Sequence, residues 1–188
     1  IDWLAGELIQ HKWSRKAMIK LIVTSATYQQ SSLHRSELKE NDPDNKLIHR
    51  QNRFRVEAEI IRDLHLSASG LLTNKVGGPS VFPPLPAGVA ILSYANNLKW
   101  NTSKNADRYR RGMYTFFKRT SPHPNLTTFD CPDSNVTCVK RSRSNTPLAA
   151  LATLNNSVFS EAAKAMAKRV IKEKSDDTRR IERCFRLC

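Results

Sequence analysis

The stretch FRVEAEIIRDLHLSASG, residues Phe54–Gly70, has the apolar periodicity of an α-helix. Its apolar side chains recur three or four residues apart and are Val56, Ile60, Ile61, Leu64 and Ala68. Gly70 stands where a helix C-cap favours glycine, because glycine adopts the left-handed backbone conformation without steric cost. We therefore expect a helix over residues 54–69 that buries one apolar face.

Helical patterns also occur on both sides of this stretch. An apolar stripe covers residues 2–12, and Ser14 is a favoured N-cap residue for a second helix. Thr146-Pro147 is a helix start, because threonine is favoured at the N-cap and proline at the first helical position. Further helices are predicted over residues 147–155, 158–173 and 177–188. The predicted fold class is therefore mainly α.

Two parts of the chain depart from helical periodicity. Residues 111–118 have the aromatic-rich composition of a strand, and residues 137–143 are expected to pair with them as a small antiparallel β element. An α+β fold therefore stays open beside the mainly α one. Glycine and proline clusters predict a loop-rich insertion over residues 74–107.

The chain has 188 residues and is 39% hydrophobic, which is enough for one domain with its own core. We predict a single domain over residues 1–188. Both ends interrupt helical patterns, so the sequence is expected to be a fragment of a larger protein. It holds no run of about 18 apolar residues, so we predict no membrane span.

The formal net charge is +14, which attracts nucleic acid, anionic lipid or acidic polysaccharide to a protein surface. An acidic neighbour that compensates this charge is the alternative. The sequence has no zinc-finger, RNA-recognition or basic-zipper pattern, so nucleic acid is the least favoured of these partners.

The four cysteines are Cys131, Cys138, Cys184 and Cys188. Cys131 and Cys138 close a small loop and are the candidate disulfide if the protein is exported. Cys184 and Cys188 share a helix face at i,i+4, which suits a shared metal or a buried apolar stripe better than a mutual disulfide. Four unbonded cysteines are the alternative. No Cys-x-x-Cys-His motif for haem attachment occurs.

The densest group of polar residues lies in Thr127–Leu151, TTFDCPDSNVTCVKRSRSNTPLAAL. Asp130 and Asp133 are candidates for acid–base catalysis or for binding a hard cation. The candidate anion ligands are Arg141 and Arg143, which can clamp an anionic group, and Ser144 and Asn145, which stand at a helix N-terminus. The alternative interpretation is architectural, with the aspartates capping turns and pairing with the arginines.

A second charged cluster lies on the helix predicted over residues 54–69. Glu59 and Asp63 share a helix face and are further candidates for a catalytic carboxylate pair or metal ligands. Arg55 and Arg62 lie within helical reach of Glu59, so an ordinary ion-pair network is the alternative. No two histidines have metal-ligand spacing, and we predict no metal site.

The chain resembles a known family, and the resemblance extends almost from end to end. The matching segments are Asp2–Ala5, Leu21–Tyr28, Asp42–Asn45, Glu57–Glu59, Ile61–Asp63, Ser69-Gly70, Gly77–Pro79, Tyr109–Arg111 and Phe129–Leu151. These segments resemble the planctomycete-type domain of unknown function family 1553, also called the PSD-one domain. Ala149 departs from the family pattern, which usually has glutamine at that position.

The resemblance implies context more than chemistry. Family members are usually parts of large exported proteins, so the resemblance implies an extracytoplasmic location, either periplasmic or secreted. They typically follow a cytochrome-c-like module and a companion uncharacterised domain. Haem c is therefore expected in an absent neighbouring module, with no cofactor in this segment, and neighbouring domains of the same polypeptide are the expected partners.

Two functional hypotheses follow from these observations. The leading one is a domain of a large exported bacterial protein that binds an anionic ligand, such as an anionic polysaccharide, or a partner module. The alternative is an enzyme domain acting on polysaccharide, with acid or base chemistry supplied by Asp130, Asp133, Glu59 or Asp63.

Overall fold

The computed structural model describes residues 1–38, 40–86 and 100–188. The chain divides into two compact units, Ile1–Phe54 and Arg55–Cys188. Of the predicted loop-rich insertion over residues 74–107, residues 87–99 lie outside the described residues. The prediction of a single domain over residues 1–188 stays a prediction.

The first unit begins with two short helices that pack against each other, α1 (Asp2–Gln10) and α2 (Arg15–Val23). Lys12 and Trp13 lie between these helices and adopt positive φ angles of 52° and 61°. This conformation allows the chain to reverse over a few residues. Ser14 caps α2 as predicted, because its hydroxyl accepts a hydrogen bond from the Ala17 amide at 3.3 Å. Neither helix contains a fully buried residue.

The second unit is built around α3 (Ala58–Ser69), which confirms the predicted helix and its end but begins four residues later than the predicted start at residue 54. It contacts α4 (Pro124–Thr128), α6 (Ser157–Glu173) and a 3-10 helix, Gly112–Tyr114. Gly70 ends α3 with a φ of 78°, in the left-handed conformation predicted from its position. The remaining helices among the described residues of this unit are α5 (Pro147–Asn155), α7 (Asp177–Leu187) and a 3-10 helix at Asn105–Tyr109.

The core of the second unit lies where α3, α4, α5 and α6 meet. Its fully buried members are Ala58, Ile61, Leu126, Phe129, Ala149 and Phe159. Phe129 and Phe159 contact each other edge to face, with ring centroids 5.9 Å apart. Ala149 is buried here, so the residue that replaces the family's usual glutamine belongs to the core.

Side chains that bind exposed backbone groups fix the helix ends. Thr146 accepts a hydrogen bond from the Ala149 amide at 3.1 Å and Pro147 follows it, which confirms the predicted start of α5. Arg169 of α6 donates to the carbonyls of Ser67 and Ala68 at the end of α3. A cation at this end of α3 is favourable because the free carbonyls carry partial negative charge.

The small antiparallel β element is not confirmed within the described residues. Residues 112–114 form a 3-10 helix, and residues 137–143 contain bends but no strand. Only two isolated parallel bridges join described residues, Thr73 with Arg110 and Val81 with Thr115. The predicted pairing between residues 111–118 and 137–143 does not form, because the first of these segments packs on α3. Its Gly112 amide donates to Asp63.

The fold class is mainly α, as predicted. None of the helices in the described part of the chain combines the length and the hydrophobicity that crossing a bilayer requires.

Gly112 gives a direct test of how closely its 3-10 helix approaches α3. A Cβ atom at this position would lie 2.3 Å from the Glu59 carbonyl oxygen. We expect Gly112→Ala to lower the free energy of unfolding by about 3 kcal/mol, because backbone must move to relieve the contact. The measurement is urea-induced unfolding followed by circular dichroism.

Gly6→Ala is the matched control, because a Cβ added in α1 meets no atom within 4 Å. Alanine there is expected to be neutral or to stabilise by roughly 0.5–1 kcal/mol, since glycine is the poorer helix former. Equal unfolding midpoints for Gly112→Ala and the wild-type chain would contradict the close packing.

Candidate functional site

Asp130 holds together three segments that are distant in the sequence. Its carboxylate accepts hydrogen bonds from the Ser144 amide at 2.7 Å and from the Ser144 hydroxyl at 2.9 and 3.0 Å. The Arg55 guanidinium forms an ion pair with the same carboxylate and also donates to the Phe129 carbonyl at 3.3 Å. Both charged side chains are largely shielded from solvent, with 15% of Arg55 and 23% of Asp130 exposed.

These contacts hold Asp130 in its ionised form. The hydrogen bond from the Ser144 amide lowers the pKa of Asp130, and the Ser144 hydroxyl and the Arg55 charge act in the same direction against a smaller effect of burial. A general acid working near neutral pH needs a raised pKa instead. The environment of Asp130 therefore suits a structural ion pair.

Arg141 and Arg143 are turned toward the start of α3. Arg141 donates to Glu59 at 2.8 Å and lies 3.1 Å from Glu57. Arg143 approaches Glu57 at 3.9 Å. The hydrogen bond to Glu59 raises the pKa of Arg141. Two of the predicted anion ligands therefore already contact carboxylates of the chain itself.

The carboxylates of Glu59 and Asp63 are engaged by different partners. Asp63 accepts hydrogen bonds from the Gly112 amide at 2.6 Å and from Arg111 at 2.8 Å, whereas Glu59 binds Arg141. Arg111 is the partner that helical spacing does not predict, because it approaches from a segment 48 residues away. The carboxylates of this cluster therefore form ion pairs, as the alternative interpretation held. Their partners are Arg111 and Arg141 from other segments, where helical spacing indicated Arg55 and Arg62.

The other residues of the predicted anion and carboxylate sites lie near the surface. Asp133 accepts hydrogen bonds from Asn135, which lower its pKa, and it caps a turn in an exposed loop. Ser144 is occupied by Asp130, and Asn145 is exposed. The structure thus brings Asp130 and Ser144 together and gives Asp133 a separate, local role.

The cysteines are present as free thiols. Cys131 is half-buried against the core, and burial raises the pKa of its thiol. Cys138 is exposed in the loop that carries Arg141. The bridge between Cys131 and Cys138 stays a prediction.

Arg110 is a buried residue whose importance sequence reasoning missed. Its side chain is 0% exposed and donates to the carbonyls of Pro79, at 3.0 Å, and Gly77. Its guanidinium also lies 3.9 Å from the centre of the Tyr114 ring, and Tyr114 in turn accepts from the Gly77 amide. Both Gly77–Pro79 and Tyr109–Arg111 stood out in the sequence, but nothing there predicted that Arg110 binds the glycine loop.

Glu161 links α6 to the segment before Arg110. It forms a two-point ion pair with Arg108, with distances of 2.7 and 3.3 Å, and accepts a third hydrogen bond from the Tyr109 hydroxyl at 2.7 Å. Arg62 of α3 donates to the carbonyls of Arg108 and Arg110. Burial lowers the pKa of Arg62 to about 10, so it remains a cation at neutral pH.

His123 is buried between two loops and is neutral. Its side chain accepts from the Asn125 amide through Nδ1 at 3.2 Å, so Nε2 carries the proton donated to the Pro84 carbonyl at 3.1 Å. Burial lowers the pKa of His123 to about 4. Both ring nitrogens are therefore occupied by backbone groups, which is the arrangement of a structural histidine.

The first unit contains a buried Asp–His pair that spacing alone did not reveal. Asp42 accepts hydrogen bonds from the amides of Lys46 and Leu47, and Nδ1 of His49 lies 3.2 Å from the same carboxylate. Arg50 donates to Nε2 of His49 at 2.7 Å, so both ring nitrogens are again occupied. Asp42 is the first residue of the Asp42–Asn45 motif. The role of this motif is therefore to form a turn, which Asp42 stabilises by binding the amides that follow it.

The described residues contain no cluster of three or more His, Cys, Asp or Glu side chains that could hold a metal ion.

The whole chain, residues 1–188, matches the family model PSD1, described as "Protein of unknown function (DUF1553)". The chain belongs to this family, as the resemblance in its sequence implied. No curated protein and no solved structure matches it significantly. The family description assigns no activity, so function has to be argued from the residues themselves.

Asp130→Asn tests the ion pair on which the loop before α5 depends. Asparagine keeps an acceptor for Ser144 but removes the charge that neutralises Arg55, so we expect a loss of about 2 kcal/mol in the free energy of unfolding. Urea-induced unfolding measures this loss. Asp133→Asn is the matched control and is expected to leave the midpoint unchanged, and equal effects of the two substitutions would count against the structural role of Asp130.

The lowered pKa of His123 predicts that the free energy of unfolding depends on pH. Because the folded protein lowers its pKa from 6.5 to about 4, the unfolded chain binds the proton more tightly. The stability that His123 provides is complete above pH 6.5 and falls by about 3 kcal/mol as the pH approaches 4. We expect His123→Gln to weaken the dependence of the urea unfolding midpoint on pH between pH 6.5 and 4.5. An unchanged pH dependence would show that groups other than His123 cause it.

Proposed function

We propose that this domain is a non-catalytic binding module of a larger exported polypeptide and that it recognises an anionic partner. The main observation is the way its carboxylates are used. Glu57, Glu59, Asp63 and Asp130 all contact cations or amides of the chain itself. A domain whose acidic groups maintain its own architecture retains a large positive charge for a partner.

The arginines supply most of the internal ion pairs of the second unit. Those in ion pairs are Arg55, Arg108, Arg111, Arg141, Arg143, Arg169, Arg179, Arg180, Arg183 and Arg186. Arginine suits this role because its planar guanidinium donates several hydrogen bonds in fixed directions. These pairs consume nearly all the acids of the unit.

Most of the described lysines contribute positive charge that no acid of the chain neutralises. Within the described residues, those whose ammonium groups make no ion pair are Lys12, Lys16, Lys20, Lys104, Lys118, Lys140, Lys164, Lys168, Lys172 and Lys174. Lysine suits a solvated surface of this kind because its ammonium is compact and strongly hydrated. These lysines are therefore available to an anionic partner, in a chain whose formal net charge is +14.

The partner that fits is an acidic polysaccharide or an acidic neighbouring module outside the cytoplasm. The family resemblance supports this setting, since related domains usually occur in large exported proteins. Haem c belongs in this proposal to a neighbouring cytochrome-c-like module, because the sequence contains no Cys-x-x-Cys-His motif. A role as a supporting module beside such a redox unit needs no active site in this domain.

The competing proposal is a polysaccharide-cleaving enzyme. It requires an acid and a base that face a substrate, and a general acid whose pKa is raised toward neutrality. The pKa values of Asp130 and Asp133 are instead lowered. The binding proposal is therefore the better supported of the two.

The test is binding of the domain to dextran sulfate, with uncharged dextran as the matched control. We expect binding to dextran sulfate alone, with affinity falling about tenfold or more between 50 and 200 mM salt, because counterions compete for the lysines. Binding that ignores salt, or release of shorter oligosaccharides from an acidic polysaccharide during incubation, would overturn the proposal. Isothermal titration and chromatography of the products measure the two outcomes.

A further inference from the structure

Three lysines lie along one side of α6. Lys164, Lys168 and Lys172 are four residues apart and all exposed, so they lie on one side of the helix. The helix rises about 1.5 Å per residue, which places successive lysines about 6 Å apart along the axis and the outer two about 12 Å apart. We call Lys164, Lys168 and Lys172 the lysine row.

The lysine row has no counter-charge on its own helix. The two acidic residues of α6 are Glu161 and Glu173. Glu161 is committed to Arg108 and Tyr109, and Glu173 is shared by Arg169 and Arg183. Like charges four residues apart destabilise a helix, so the row works against the stability of α6.

The contrast with the arginine of the same helix sharpens this point. Arg169 lies one residue after Lys168, yet it packs against the end of α3 and pairs with Glu173. Within the described residues, by contrast, no hydrogen bond or ion pair engages the ammonium groups of the row. The arrangement of α6 thus separates a structural cation from three cations that face solvent.

The surface between the lysines is small and contains no aromatic residue. Ala167 and Ile171 lie on the same side of α6 and are exposed, with Ile171 at 59%. Ile171 is a single large apolar side chain, fewer than an amphipathic helix uses to enter a bilayer, and the face has no aromatic ring that could stack on unpaired bases. It fits a flexible polymer that presents negative charges in a line.

We propose that the lysine row binds a linear polysaccharide bearing carboxylate or sulfate groups, laid along the axis of α6. This inference rests on the proposed function and specifies its binding surface and partner. Each lysine contacts one anionic group, and release of counterions from the polymer favours the complex. The neighbouring arginines stay in their internal ion pairs, so binding requires no rearrangement of the fold.

The test compares two triple variants that remove the same charge. Lys164→Gln, Lys168→Gln and Lys172→Gln together remove the row. Lys12→Gln, Lys16→Gln and Lys20→Gln together remove three exposed, unpaired lysines spaced identically in the first unit. The probes are dextran sulfate and alginate, which carry sulfate and carboxylate groups respectively, and cooperative urea-induced unfolding establishes that both variants are folded.

We expect the row variant to bind both polymers at least tenfold more weakly than the wild-type chain and with a shallower dependence on salt. The control variant is expected to lose less than threefold. Replacing the row by arginines keeps the charge and should keep most of the affinity. These results would assign binding to the row itself.

Three outcomes would overturn the inference. Equal losses in the two triple variants would show that only the total charge matters, which leaves the proposed function intact. Tighter binding to a DNA duplex than to either polysaccharide at the same salt would assign the row to nucleic acid. Failure of the wild-type chain to bind any of the polymers would remove the proposed function together with the row.

Discussion

The ion pair between Arg55 and Asp130 is the interaction on which the second unit depends. The two residues are 75 positions apart, and Ser144, which binds the same carboxylate, is 14 residues further along. One carboxylate therefore joins the segment before α3, the turn after α4 and the loop before α5. Phe129, the neighbour of Asp130, enters the core beside Phe159, so the polar contact and the apolar contact position the same turn. Asp130 itself has a φ of 60°, a backbone conformation that its side-chain contacts help to maintain.

The charged residues divide into two groups with different physical roles. Arginines such as Arg110 and Arg141 lie among carbonyls and carboxylates, where their fixed geometry satisfies several acceptors at once. Lysines such as Lys164 remain in water, so their ammonium groups keep their hydration and avoid the cost of desolvation. This division explains how a chain with many acids in its interior framework still exposes a strongly basic surface. It also explains why the polar residues of Thr127–Leu151 make contacts within the chain, since Asp130 binds Arg55 and Ser144 and Arg141 binds Glu59.

Local signals in the sequence predicted most of the helices, but they did not predict contacts between segments far apart in the chain. Ser14, Gly70 and Thr146 each act within a few residues of their own position, so their capping roles follow from sequence alone. The strand predicted over residues 111–118 did not form, because Gly112 packs on the Glu59 carbonyl and binds Asp63, and neither contact has a local signature. The same limit applies to the charged cluster on α3, where helical spacing indicated ion pairs but could not supply Arg111 and Arg141 as the partners.

The sequence by itself determined the mainly helical class, the capping roles of Ser14, Gly70 and Thr146, the membership of the family and the large positive charge. These properties depend on residue type, on periodicity along the chain and on composition, which are all visible before folding. The tertiary structure alone decided which charged side chains form ion pairs within the chain and which stay exposed to solvent. Arg110 and His123 became buried, Asp130 became the shared acceptor of Arg55 and Ser144, and the lysine row was left in solvent. The reason is that burial and charge pairing depend on distances between segments far apart in the chain, and folding sets those distances.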